Sequence, residues 1–230
     1  MHTGPLLGSG RTADVYALDD SWVLRRYRDG IDTTGELAVM SYLSASGFPV
    51  PRIGPPAEAA LPTDLVVQRL TGPTLAEALL AGTVTGDDGA ELLARLLREL
   101  HAIPPRLSQD PEDRILHLDL HPENVIMSPA GAMVIDWTTT SEGPPALDRA
   151  MTALILAQVS LAPSFPAGGQ LRGLLATLLF RFADDGGVPA AALARAAALR
   201  GADPGLTAHE AAGLDEAAGL VTSLTVRPPA

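Results

Sequence analysis

The apolar residues change their period once along this chain, and that change limits the folds open to it. From Gly4 to about Leu70 they come in short strand-like runs around one helix: Leu6-Leu7, Val15-Tyr16-Ala17, Trp22-Val23-Leu24-Arg25 and Leu65-Val66-Val67-Gln68, with turn residues between. Asp32-Thr33-Thr34-Gly35 opens the helix, because Thr33 and Glu36 stand at capping-box spacing and Val39, Met40 and Leu43 follow at helical intervals. Gly47 and Pro49 stop it. From Pro73 onward the period becomes about 3.6 residues. Leu92, Leu93, Leu96, Leu97 and Leu100 form one stripe, with Glu91, Arg95, Arg98 and Glu99 opposite. The helical pattern is interrupted over 116–136, where Val125-Ile126-Met127 and Met133-Val134-Ile135 flank Ser128-Pro129-Ala130-Gly131, a hairpin signal. Helical stretches then resume at Arg149–Ser160, Leu171–Phe182, Pro189–Arg200 and Thr207–Leu220. The reading is an α+β chain with two lobes: a small sheet with one helix over residues 1–67, a connecting segment over 68–72, and a larger helical lobe over 73–230.

Composition removes several classes of function. A formal charge of −11 disfavours phosphate backbones and anionic lipid, so neither nucleic acid nor membrane is an expected partner. The chain has no cysteine, which excludes disulfides, a thiolate nucleophile and Cys-ligated metal, and fits a cytoplasmic protein. The apolar run Ala153–Val159 is far too short to span a bilayer, and Met1-His2-Thr3-Gly4-Pro5 carries no signal-like segment. All 16 basic residues are arginine, which matters wherever a mechanism ordinarily uses lysine.

The strongest local signal is His117-Leu118-Asp119-Leu120-His121-Pro122-Glu123-Asn124, followed by Asp136 after the hairpin. Phosphoryl transfer needs a carboxylate near the acceptor hydroxyl and oxygen ligands for magnesium at the phosphates. Asp119, Asn124 and Asp136 supply that set. Their spacing matches the catalytic loop of protein kinases, where a metal-binding Asp lies on the next strand. His117 and His121 also suggest zinc, but the loop context and the Asn/Asp pair favour magnesium held by oxygens. A Gly-x-Ser-x-Gly elbow and a lysine-bearing P-loop are both absent.

These residues resemble the aminoglycoside phosphotransferase and choline kinase group, a small-molecule branch of the protein-kinase-like fold. The likeness covers residues 6–150. Val134-Ile135-Asp136-Trp137 stands in place of the kinase Asp-Phe-Gly, and Asp148-Arg149-Ala150 looks like the segment whose Asp braces the catalytic loop. The resemblance implies an ATP- or GTP-using, magnesium-dependent transferase, with nucleotide and metal between two lobes. It gives Asp119 as the group that orients or deprotonates the acceptor hydroxyl, and Asn124 and Asp136 as the magnesium ligands. Leu118 occupies the position where protein kinases carry the Arg that receives an activation-loop phosphate. Trp137 to Ala150 leaves no room for a long regulated loop, so a protein substrate is disfavoured.

Upstream, Gly8-Ser9-Gly10 within Leu7–Tyr16 reads as a loop where backbone can approach phosphates, with Val15 expected over the adenine. Trp22-Val23-Leu24-Arg25 matches the strand that ordinarily carries the phosphate-binding lysine, so Arg25 is the expected substitute and Glu36 its partner. Gln68 and Leu70 lie in the segment expected to meet the adenine edge. His121 is read as a loop residue with a satisfied hydrogen bond, and His101 as a helix C-terminal cap.

The acceptor is a small molecule whose identity no motif fixes. Asp184, Asp185, Asp203, Glu210, Asp215 and Glu216 suit an amine-bearing acceptor such as an aminoglycoside or choline, although a solvated helix surface accounts for them more simply. The competing reading of the whole chain is a kinase-like module that binds nucleotide with little or no turnover. Arg25 in place of lysine favours that alternative.

Overall fold

The computed structural model describes residues 3–10, 12–28, 30–56 and 61–225. Arg11, within the glycine segment, lies outside the described residues. The chain divides into two compact units, one of residues 1–72 with 126–140 and the other of 73–125 with 141–230. It is a mixed α+β protein, as its apolar periods require.

The first unit is built on a four-stranded antiparallel sheet, β1 (Leu6–Ser9), β2 (Ala13–Ala17), β3 (Trp22–Tyr27) and β4 (Asp64–Gln68), in the order β1-β2-β3-β4. Strand β3 is central, and its Val23, Leu24 and Tyr27 are buried with Leu65, Val66 and Val67 of β4. The register sets Val15 opposite Arg25 and Arg25 opposite Leu65. Arg26 points to the other face, where Asp64 takes both its Nε and Nη2 at 2.7 and 2.8 Å. Helix α1 (Thr34–Ala45) buries Glu36, Val39, Met40 and Leu43, the stripe its sequence predicts.

The expected capping box does not form. Thr33 donates its hydroxyl to the carbonyls of Pro62 and Asp64, while Asp32 Oδ1 accepts the Thr34 N–H at 2.6 Å. Tertiary partners displace the local one, and Glu36 is left to point inward.

Residues 126–140, which include the hairpin of β6 (Val125–Ser128) and β7 (Gly131–Val134), group with the sheet unit. Physical contacts explain this. Val134 N–H donates to Pro49 O at 2.8 Å, Trp137 meets Phe48 edge to face at 5.7 Å, and Gly72 sits against the Met127 carbonyl. Strand β4 also runs through Gln68, so the expected connecting segment begins inside a strand.

The second unit is helical. Helix α2 (Leu75–Leu80), not foreseen from the sequence, has a complete capping box between Thr74 and Glu77. Helix α3 (Gly86–His101) buries the leucine stripe along one face. Helix α4 (Pro145–Leu161) is buried on nearly every side, packed by α5 (Gly168–Phe182), α6 (Ala190–Gly201) and α8 (Leu214–Thr225). The stretch expected as one helix from Thr207 to Leu220 is two, because α7 (Ala208–Ala212) ends at Gly213 before α8 begins. A short antiparallel pair, β5 (Arg114–Leu116) with β8 (Ser141–Gly143), leads into and out of the region of interest. Among the described residues no helix is long and apolar enough to cross a membrane.

Candidate active site

In the helical unit, the segment after β5 turns through His117, Leu118 and Asp119 into a single 3-10 turn at Pro122–Asn124. Leu118 holds a left-handed conformation, φ 61°, which costs a leucine about 1–2 kcal/mol. Something must over-determine it, and Asp148 does. This fully buried carboxylate on α4 accepts the N–H of His117 at 2.9 Å and of Leu118 at 2.7 Å. His101 Nε2 lies 3.0 Å from its Oδ2. Burial pushes the Asp148 carboxyl up, but His101 and His117 outweigh it and leave it below the usual carboxylate range. His101 is therefore a partner of Asp148 rather than a helix cap, since Ala102 occupies the cap position.

Asp119 then projects from a braced loop. Asn124 donates Nδ2 to the Asp119 carbonyl at 2.8 Å and to its Oδ2 at 3.1 Å, which leaves Asn124 Oδ1 as the acceptor end of the amide. His121 Nε2 lies 3.3 Å from Asn124 Nδ2 and 3.6 Å from Asp119 Oδ2. A residue that sequence reasoning missed, Arg200 on α6, reaches Asp119 Oδ1 with Nη1 at 3.5 Å. Burial raises the Asp119 pKa, but His121, His117 and Arg200 together bring it below the ordinary value. No periodicity links Arg200 to Asp119, and only the fold brings them together.

In the sheet unit, Arg25 meets Glu36, the partner expected of it, and also Asp136, a contact the sequence reading does not include. Arg25 donates Nη1 to Glu36 Oε1 at 3.0 Å and Nη2 to Asp136 Oδ1 at 3.2 Å, and its guanidinium lies 5.0 Å from the Tyr27 ring centre. Glu36 is buried and accepts in addition from the Tyr27 hydroxyl at 2.5 Å and the Trp137 N–H at 3.3 Å. Burial pushes the Glu36 carboxyl up despite Arg25, whereas Asp136 and Glu36 keep Arg25 charged against its own burial. Asp136, like Leu118, has a left-handed backbone, φ 66°. Its Oδ1 also accepts from the Thr138 hydroxyl at 2.9 Å, and its Oδ2 takes no hydrogen bond among the described residues.

The glycine segment is tied by Arg28, which donates to Gly10 O at 3.1 Å and Ser9 Oγ at 2.6 Å and pairs with Asp14. A Cβ added at Gly8 would meet nothing within 4 Å, and at Gly10 only Ala13 O at 3.5 Å. The protein's own packing therefore does not demand glycine there. Gln68 Oε1 accepts from Arg52 Nε at 3.2 Å, and Leu70 is half-buried. The acidic residues after α5 serve local ends: Asp185 lies 3.6 Å from Arg98, Asp203 accepts the Gly205 N–H, and Glu210 closes a capping box with Thr207. Asp184, Asp215 and Glu216 are exposed. Among the described residues no group of three or more His, Asp or Glu side chains is placed to hold a metal ion.

The chain belongs to the phosphotransferase enzyme family, whose model matches residues 3–114 and 90–184. No curated protein matches it by sequence at a significant level. Among solved structures it is similar to a thermostable mutant of aminoglycoside phosphotransferase APH(4)-Ia in ternary complex with AMP-PNP and hygromycin B. That pair shares 14% identity and a TM-score of 0.65 over 96% of this chain and 92% of the other. The gentamicin complex of APH(2")-IIa is similar at 14% identity and TM-score 0.62, over 97% and 91%. A choline/ethanolamine kinase family protein from Mesorhizobium loti is similar at 14% and 0.57, over 98% and 90%. At such identities the likeness is one of fold.

Proposed function

We propose that this protein transfers the γ-phosphoryl group of ATP or GTP to a hydroxyl of a small molecule, with magnesium. The observation that carries the reading is Asp119 on a strained loop that Asp148 holds from behind and Asn124 from the side. Asp119 orients the hydroxyl and takes its proton as the new oxygen–phosphorus bond forms and the bond to the β-phosphate oxygen breaks, releasing nucleoside diphosphate. A carboxylate kept ionised suits that role. Family membership and structural relatives with AMP-PNP bound support nucleotide as the donor.

Asn124 Oδ1 and the Asp136 carboxylate are oxygen donors of the kind magnesium prefers, and they would hold it. When bound, the ion neutralises charge on the phosphates. Arg25 steadies the phosphates, and Glu36 positions Arg25 from its buried seat. Gly8, Ser9 and Gly10 cover the phosphates, Val15 the adenine face, and Gln68 and Leu70 the adenine edge. The cytoplasm suits a cysteine-free chain of this class.

The second reading, a module that binds nucleotide without turnover, is favoured by Arg25, both of whose Nη atoms are engaged by carboxylates. The two separate in one experiment: magnesium-dependent release of ADP or GDP across a panel of aminoglycosides, choline, amino alcohols and sugars, with Asp119→Asn as control. Stimulation by one acceptor class, lost in the control, is the expected result. Tight nucleotide binding with no stimulation anywhere would favour the binding module.

A further inference from the structure

The contact between Arg200 and Asp119 joins residues 81 positions apart and is not needed to build either element. Arg200 lies at the end of α6 with its side chain only 15% exposed. Its Nε donates to Gln158 Oε1 at 3.3 Å, and Gln158 Nε2 donates to Glu210 O at 2.8 Å. The α7 carbonyl thus fixes the amide, and the amide oxygen fixes the guanidinium. At 3.5 Å the bond from Nη1 to Asp119 is at the long limit, a weak return for ordering an arginine. The Nη2 donors have no partner among the described residues. Asn124 and His121 are the other side chains that contact the Asp119 carboxylate, and Gln158 is the other that contacts the guanidinium.

We propose that Arg200 determines acceptor choice: its free guanidinium edge binds an anionic oxygen group, such as a carboxylate, carried next to the hydroxyl that Asp119 serves. An acceptor with an ammonium in that place is disfavoured. This inference rests on the phosphotransferase reading of Asp119 and narrows it. A planar fork with one nitrogen on the general base and the other directed to the substrate fixes the hydroxyl and its neighbouring group in one geometry. The carboxylates that first suggested an amine acceptor are spent on helix ends and the exposed surface, so they do not oppose this.

The test is steady-state kinetics of wild type, Arg200→Met and Arg200→Lys on two matched series: lactate, lactamide and 1-aminopropan-2-ol; and glucuronate, glucose and 6-amino-6-deoxyglucose. Wild type is expected to rank anion above neutral above amine in kcat/KM. Arg200→Met should raise KM for the anion by about tenfold or more while the KM for ATP moves less than about twofold. Arg200→Lys, which keeps charge but not the fork, should retain the ranking with a smaller preference. A wild-type preference for the amine would overturn the inference. So would an equal loss for every acceptor and for ATP, which would place Arg200 on the transferring phosphoryl group or in a structural role. If no acceptor in either series is used, the inference also fails, and calorimetric titration with ATP then shows whether the phosphotransferase reading falls with it. Bound ATP would spare that reading, and no binding would end both.

Discussion

Asp148 offers the sharpest test of how the fold makes the site. Replacing it with Ala orphans the fully buried His117 N–H, the half-buried Leu118 N–H and the His101 ring nitrogen at once. Charging about 2 kcal/mol to the buried donor and about 1 kcal/mol to each of the others gives a loss of about 4 kcal/mol. For a chain of this size each kcal/mol lowers Tm by about 2–4 °C, so Asp148→Ala should melt roughly 8–16 °C below wild type. Asp148→Asn keeps one acceptor oxygen and should lose about half as much. A calorimetric or circular-dichroism melt measures both. The pH dependence has a definite sign. Asp148 sits below its ordinary value of 3.8, so its stabilisation is complete above that value and is lost as pH falls through its lower folded value. Asp148→Asn should remove that part of the acid sensitivity. If the alanine variant melted within about 2 °C of wild type, or the two variants matched, Asp148 would not be what holds Leu118 in its strained conformation.

Glu36→Gln removes the charge facing Arg25 but keeps an acceptor for Tyr27 and Trp137, and should cost about 2 kcal/mol in a urea melt, with weakened nucleotide binding by calorimetry. Gly72→Ala puts a Cβ 2.2 Å from Met127 O at φ 125°, so a loss of about 2 kcal/mol or more is expected; a neutral melt would show that the contact relaxes freely.

Much of this architecture was legible because it rests on long apolar patterns. The switch near Pro73 from strand-like runs to the leucine stripe of α3 locates the sheet and the helices, and alternation along β3 correctly turns Arg25 and Arg26 to opposite faces. The Glu36 partnership was also readable, since the residue shares the buried face of α1. Short elements were not: β5 and β8 have three residues each and depend on each other. Helix α2 did carry a signal, the Thr74/Glu77 box, that six residues of helix did not make conspicuous. Thr33 and Glu36 carried the same signal, yet carbonyls from the β4 approach took the threonine. Arg200, which reaches Asp119, and Gln158, which holds Arg200, were invisible because their contacts follow from how α6 and α7 meet α4.

The measurement closest to the central claim is phosphorus NMR of the protein with ATP, magnesium and the best acceptor found, for wild type and Asp119→Asn. The account predicts a new phosphate monoester signal growing in step with ADP, slowed by about 100-fold or more in the variant. Inorganic phosphate as the sole new species, or the monoester forming equally fast without the Asp119 carboxylate, would contradict it.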